Sequence, residues 1–124
     1  MTNPEQVRLE QYVNMTELLA RVDNDRELLT ELLALCQEEF PRLRDALHRA
    51  VDRCDLLEVE RAAHTLKGML ANLSIKRGAE LAAGIEAAAR AGDSLQICQA
   101  VASFDREGSG FSAALEEFMA GWKR

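Results

Sequence analysis

Apolar residues recur at steps of three and four in four long stretches separated by short polar turns, the spacing of one buried face on a helix. The first stretch, from about Asp25 to Arg53, places Leu28, Leu29, Leu32, Leu33, Cys36, Phe40, Leu43, Leu47 and Val51 on a single stripe. Pro41 interrupts it by removing a backbone donor and disfavouring helical geometry at Phe40. The stripe keeps its phase on both sides, so a kinked but single helix is expected. The second stretch runs from about Leu56 to Leu73 and the third, rich in alanine, from about Ile75 to Ala91. The fourth, from Ser94 to about Trp122, carries Gly108 and Gly110, each costing about 1 kcal/mol relative to alanine inside a helix. Cys98, Val101, Ala102, Phe111, Leu115, Phe118 and Trp122 stay in phase across those glycines, which predicts one helix with a weak middle. The aromatic residues among them read as core. A short helix over Met15 to Val22 precedes the four. Residues 1–14 read as a polar, partly helical lead-in, with Val7, Leu9 and Val13 packing loosely over one end.

Turn signals divide the same segments. Asn14 with Glu17, Asn24 with Glu27, Asp55 with Glu58 and Asp93 with Gln96 have the spacing of capping boxes, in which side chains satisfy orphaned backbone groups at a helix start. Ser74 suggests a further start after Leu73, and Gly92 is placed to end the alanine-rich helix in a left-handed conformation. Leu and Ala far outnumber Val and Ile, and Gly and Pro are scarce, which favours helices over strands. The expected fold is all-α: an antiparallel up-and-down four-helix bundle with a short additional N-terminal helix, residues 15–124 forming one domain.

Charge and cysteine usage narrow the partners. A net charge of -6 provides no field to draw nucleic acid or anionic lipid to the surface as a whole. No apolar run reaches the length of a membrane span, and the opening residues have no signal-peptide pattern, so a cytoplasmic protein is expected. Cys36, Cys54 and Cys98 are widely spaced and odd in number, and read as reduced, mostly buried thiols with no metal site.

Chemistry concentrates on the Leu56–Leu73 segment. At 100° per residue Val59, Ala62, Ala63, Leu66, Met69, Leu70 and Leu73 share a core-facing arc, and His64 points about 160° from its middle. Gly68 lies within about 40° of His64, Glu60 and Ala71 share that outer face, and Lys67 flanks the imidazole. An exposed glycine inside a helix gives up stability without filling the core. It provides clearance, so that another protein can approach His64 while Lys67 offers a positive charge to an anion there. The alternative is a surface histidine in a helix that tolerates a glycine.

The residues Ala63-His64-Thr65-Leu66-Lys67-Gly68, followed by Ala71-Asn72-Leu73, resemble the H-x-x-K-G signature of histidine-containing phosphotransfer (HPt) domains. The spacing from Asn24, the capped start at Asp55, the segment with Ile85, Glu86, Ala89 and Arg90, and the closing Gly92-Asp93 are similar to that family over about Met15 to Asp93. The last helix is similar only in length and apolar phase. The resemblance implies a phosphorelay protein of two-component signalling. His64 would carry a phosphoryl group between receiver-domain aspartates, Lys67 would stabilise it, and Gly68 would give clearance; Glu60 and Ala71, on the same face by rotation, are then expected to meet the partner too. It further implies receiver domains or a hybrid histidine kinase as partners, a monomeric carrier, and no cofactor of its own, the Mg²⁺ belonging to the partner receiver. The sequence offers no Gly-rich phosphate loop or ATP motif, so autonomous kinase activity is not expected. Two positions depart from the family pattern. Met69 stands where a small residue is common, and is expected to affect packing. Ser74 stands where a glycine is common, and is expected to cap the next helix instead.

Other candidates carry less. His48 has no lysine-glycine pairing and no second ligand within a turn, and reads as ordinary surface. Glu38-Glu39 and Glu116-Glu117 read as solvated helix faces rather than a catalytic dyad. The competing function is a helical adaptor or inhibitor that binds a receiver or kinase through the same face without phosphotransfer. A kinase-linked phosphoacceptor domain would need dimerisation and ATP-binding domains that these residues do not contain.

Overall fold

The computed structural model describes residues 4–122, with the side chains of Glu5 and Trp122 outside that description, so the expected core role of Trp122 lies outside the described residues. Six helices follow one another: α1 (Pro4–Leu9), α2 (Met15–Arg21), α3 (Arg26–Asp52), α4 (Leu56–Asn72), α5 (Lys76–Ala91) and α6 (Ser94–Trp122). There is no strand among the described residues. The four long helices α3 to α6 pack each against the next, and α6 returns to α3 to close the bundle, while α1 lies on α6 and α2 on α3. Connections of a few residues make sequential neighbours antiparallel.

Most helix starts follow the side-chain chemistry read from the sequence. Asn14 accepts from Glu17 N at 3.0 Å, Asp55 from Glu58 N at 3.2 Å and Asp93 from Gln96 N at 3.0 Å. Two starts differ from expectation. Asp25, not Asn24, caps α3, accepting from Leu28 N at 3.0 Å. Asp23 and Asn24 instead make the turn in left-handed conformations, with φ of 52° and 61°, which short polar side chains tolerate. Ser74 does not cap α5, whose N-cap is Ile75 with no side-chain bond. Ser74 is itself left-handed at φ 59°, the geometry for which a glycine would be favoured. Its buried hydroxyl donates to Glu17 Oε1 at 3.1 Å, tying the turn to α2. Gly92 ends α5 at φ 68° as expected.

The core differs from the predicted stripes in instructive ways. α3 runs unbroken through Pro41, but Leu28 is exposed rather than core. In α6 the buried seam is Ile97, Val101, Phe104, Phe111, Leu115 and Phe118, whereas Cys98 and Ala102 face solvent. Of the three thiols only Cys36 is buried; Cys54 and Cys98 are exposed. The lead-in is not loosely packed: Leu9 and Val13 are fully buried, and only Val7 is exposed. Arg8 pairs with Glu117 at 2.8 Å, clasping α1 to the far end of α6.

The glycines of α6 make room for aromatic rings. A Cβ on Gly108 would lie 3.1 Å from Phe40 Cζ, and one on Gly110 would strike the Tyr12 hydroxyl and lie 3.0 Å from Tyr12 Cζ. Phe111 sits between these rings, edge-on to Phe40 at 5.4 Å and tilted to Tyr12 at 6.2 Å. Gly110→Ala should therefore destabilise the protein by about 1–2 kcal/mol, overpacking outweighing the ~1 kcal/mol helix preference for alanine. Gly84, whose Cβ would meet nothing within 4 Å, should respond oppositely, Gly84→Ala stabilising by up to ~1 kcal/mol. Urea unfolding of both variants measures the contrast.

Candidate functional site

The outer face of α4 and the facing side of α5 assemble the site. Val59, Ala63, Leu66 and Leu70 of α4 are buried, which fixes the helix's rotation and turns His64 outward with its side chain 66% exposed. Gly68 follows one turn on, and a Cβ there would meet nothing within 4 Å. It therefore serves neither packing nor a special backbone angle inside this chain. Ala71 is exposed on the same face.

A residue outside the predicted set organises these groups. Glu86, on α5, has only 5% of its side chain exposed and receives three donors. His64 Nδ1 lies 2.9 Å from Oε2, Lys67 Nζ donates to Oε1 at 2.6 Å, and Arg90 Nη2 donates to Oε2 at 3.1 Å. Arg90 Nε donates in turn to Glu60 Oε2 at 3.0 Å. Glu60, expected on the docking face, is thus part of a continuous run of alternating charge, Glu60–Arg90–Glu86–Lys67. The hydrogen bond from Lys67 holds the Glu86 carboxyl below its ordinary range, burial opposes this, and the hydrogen bond from His64 adds to it. An ionised carboxylate only accepts, so Nδ1 carries the proton that it shares with Glu86, and in the neutral ring the lone pair is on Nε2.

The lowered Glu86 pKa sets a pH dependence. Its stabilising contribution is fully present above the unfolded-state value near 4.5 and is lost as pH falls through the lower folded value. Thermal unfolding from pH 6 to pH 3 should show the wild-type melting temperature dropping more steeply below about pH 4.5 than that of Glu86→Gln.

Elsewhere, His48 is less solitary than its sequence neighbourhood suggests. Its Nε2 lies 2.9 Å from Asp105 Oδ1, and Arg44 Nε donates to the same oxygen at 3.2 Å, so the group ties α3 to α6. Among the described residues no three His, Cys, Asp or Glu side chains group so as to hold a metal ion. The acidic pairs Glu38-Glu39 and Glu116-Glu117 lie on different helices, α3 and α6, where Glu39 is paired with Arg42 and Glu117 with Arg8.

The family model of the Hpt domain matches residues 27–121. The chain belongs to the Hpt domain family. Hpt domains serve histidine phosphotransfer in two-component phosphorelays, where they interact with receiver domains and kinases. The match takes in nearly all of α6, beyond the stretch to Asp93 over which the sequence resemblance was specific, and leaves α1 and α2 outside. No curated protein and no solved structure matches the chain. No described helix of this Hpt domain is long and apolar enough to cross a membrane.

Proposed function

We propose that this Hpt domain carries a phosphoryl group on His64 Nε2, accepting it from the aspartyl phosphate of one receiver domain and passing it to the aspartate of another. The reading rests on the bond between His64 Nδ1 and buried Glu86, which leaves Nε2 as the nucleophilic nitrogen on an exposed ring. Its lone pair attacks phosphorus in line as the bond from phosphorus to the aspartate oxygen breaks. The carboxylate departs with the electron pair, and no proton need leave the attacking nitrogen. Positive charge that develops on the ring is balanced through Nδ1–H by the Glu86 carboxylate. Lys67 spends one donor on Glu86 and has two left for phosphoryl oxygens. Gly68 and Ala71 keep the approach low for the receiver. The carrier acts as a monomer in the cytoplasm, and the receiver supplies the Mg²⁺ and acidic groups for the exchange.

Incubation of the protein with a receiver domain phosphorylated by acetyl phosphate tests this. The expected result is transfer of an acid-labile, base-stable label to the Hpt domain, and no label from ATP alone. Failure of any phosphorylated receiver to label the folded protein, while it still binds one, would favour the adaptor reading. Lys67→Ala should keep the fold and slow transfer several-fold. Stopped-flow transfer kinetics read beside circular dichroism check it, and an unchanged rate would reduce Lys67 to a surface charge.

A further inference from the structure

On the side of the bundle formed by α3 and α4, leucines face solvent. Leu28 and Leu35 are 40% and 55% exposed. Seven residues apart, they lie within about 20° of one another around α3 and roughly 10 Å apart along it. Beside them Leu32 and Met69 are only partly buried. Leu32, Leu35, Cys36, Met69 and Leu73 line a shallow, mainly apolar groove of about 240 Å³, with Glu39 and Asn72 at its rim. Burial pushes the Cys36 thiol up to about 12, so it stays uncharged and the groove is apolar there. An open apolar strip on a helix otherwise packed into the core is a surface for another molecule to cover.

The charges along its edge indicate the occupant. Glu31 and Glu38 lie about 40° and 60° around α3 from Leu35, on one side of the leucine line, with Glu27 beyond them. All three are exposed, and none makes an ion pair among the described residues, whereas Glu39 is paired with Arg42 at 3.2 Å. Of the nearby cations on α3, Arg26 lies on the opposite face by rotation, and Arg42, two turns beyond Leu35 on the same face, is already paired with Glu39. This row repels anionic lipid and nucleic acid and complements positive charge.

We propose that the α3–α4 groove docks an amphipathic helix of a partner protein, apolar on one face and basic along the adjoining edge. Apolar anchors spaced about two turns apart would seat against Leu28 and Leu35, one entering beside Met69, while Lys or Arg side chains meet Glu31 and Glu38. Met69 lies about 140° around α4 from His64, so an occupant leaves the imidazole open. The groove therefore tethers the carrier to a partner and raises its effective concentration there while His64 is free to react. The docking itself does not depend on the phosphotransfer reading; its role as a tether rests on it.

A synthetic 18-residue helix with leucine at i, i+3, i+4 and i+7 and lysine elsewhere serves as the probe. Titrated into the full chain and followed by nitrogen-15 NMR, it should shift resonances of residues 28–39 and of Met69. The same peptide with glutamate for lysine should bind at least ten-fold more weakly. Leu35→Asn, an exposed and uncharged change, should weaken binding at least ten-fold with the fold preserved by circular dichroism. Glu31→Gln with Glu38→Gln should weaken it at least three-fold. Shifts scattered over other acidic surface and insensitive to Leu35→Asn, or equal binding of the glutamate peptide, overturn the proposal. Self-association of the chain in sedimentation, lost in Leu35→Asn, would assign the groove to a second copy and overturn it as well.

Discussion

His64→Gln is expected to abolish acceptance of phosphoryl label from a phosphorylated receiver, while leaving the melting temperature within a degree or two of wild type. The ring stands on an exposed face and takes no part in the core, so an amide of similar length costs the fold little. What is removed is the only ring nitrogen on this face with a free lone pair, and a glutamine amide nitrogen has none to offer phosphorus. Quantitative labelling in acid- and base-quenched samples measures this. Label that persists on the glutamine variant would move the site to His48, the other histidine of the chain, which is held to Asp105 through Nε2 at 2.9 Å.

Gly68→Gln should separate folding from docking. Open space surrounds the position of its Cβ, and glutamine in place of glycine gains helix propensity, worth up to ~1 kcal/mol. Stability should therefore be unchanged or raised. Transfer should fall at least ten-fold, because a long side chain one turn from His64 holds a receiver surface away from in-line distance. Melting temperature and single-turnover transfer measured on one preparation decide it. A folded variant with normal transfer would mean that the partner docks elsewhere.

The helices, most of their caps and the outward angle of His64 were legible because they rest on local periodicity and on residues three or four apart. Glu86 was not read as a site residue, since its partners His64 and Lys67 stand 22 and 19 positions earlier and no local rule joins them. A signal was nevertheless present. Glu86 falls in phase with Ala82 and Ala89 on the buried stripe of α5, and a carboxylate in a buried phase needs a partner. In α6 Val101, Phe111, Leu115 and Phe118 are buried as the periodicity predicts; Cys98 and Ala102 are not, being small enough for either environment, while Ile97 and Phe104 mark the buried phase by size. Gly108 belongs to that same phase, and its absent side chain is the space occupied by the Phe40 ring. Leu28 stands in step with the apolar stripe of α3, and only its 40% exposure in the folded bundle shows that this edge of the helix is open.

The clasp of α1 onto α6 bears on how the bundle loosens at one edge. Arg8 and Glu117 meet at 2.8 Å with both side chains about half exposed, so salt screens the pair. Among the described helices α1 packs on α6 alone, with Leu9 buried beneath it. A six-residue helix held in this way can lift from α6 while the four long helices stay packed, a local opening rather than unfolding, and raised ionic strength makes that opening easier.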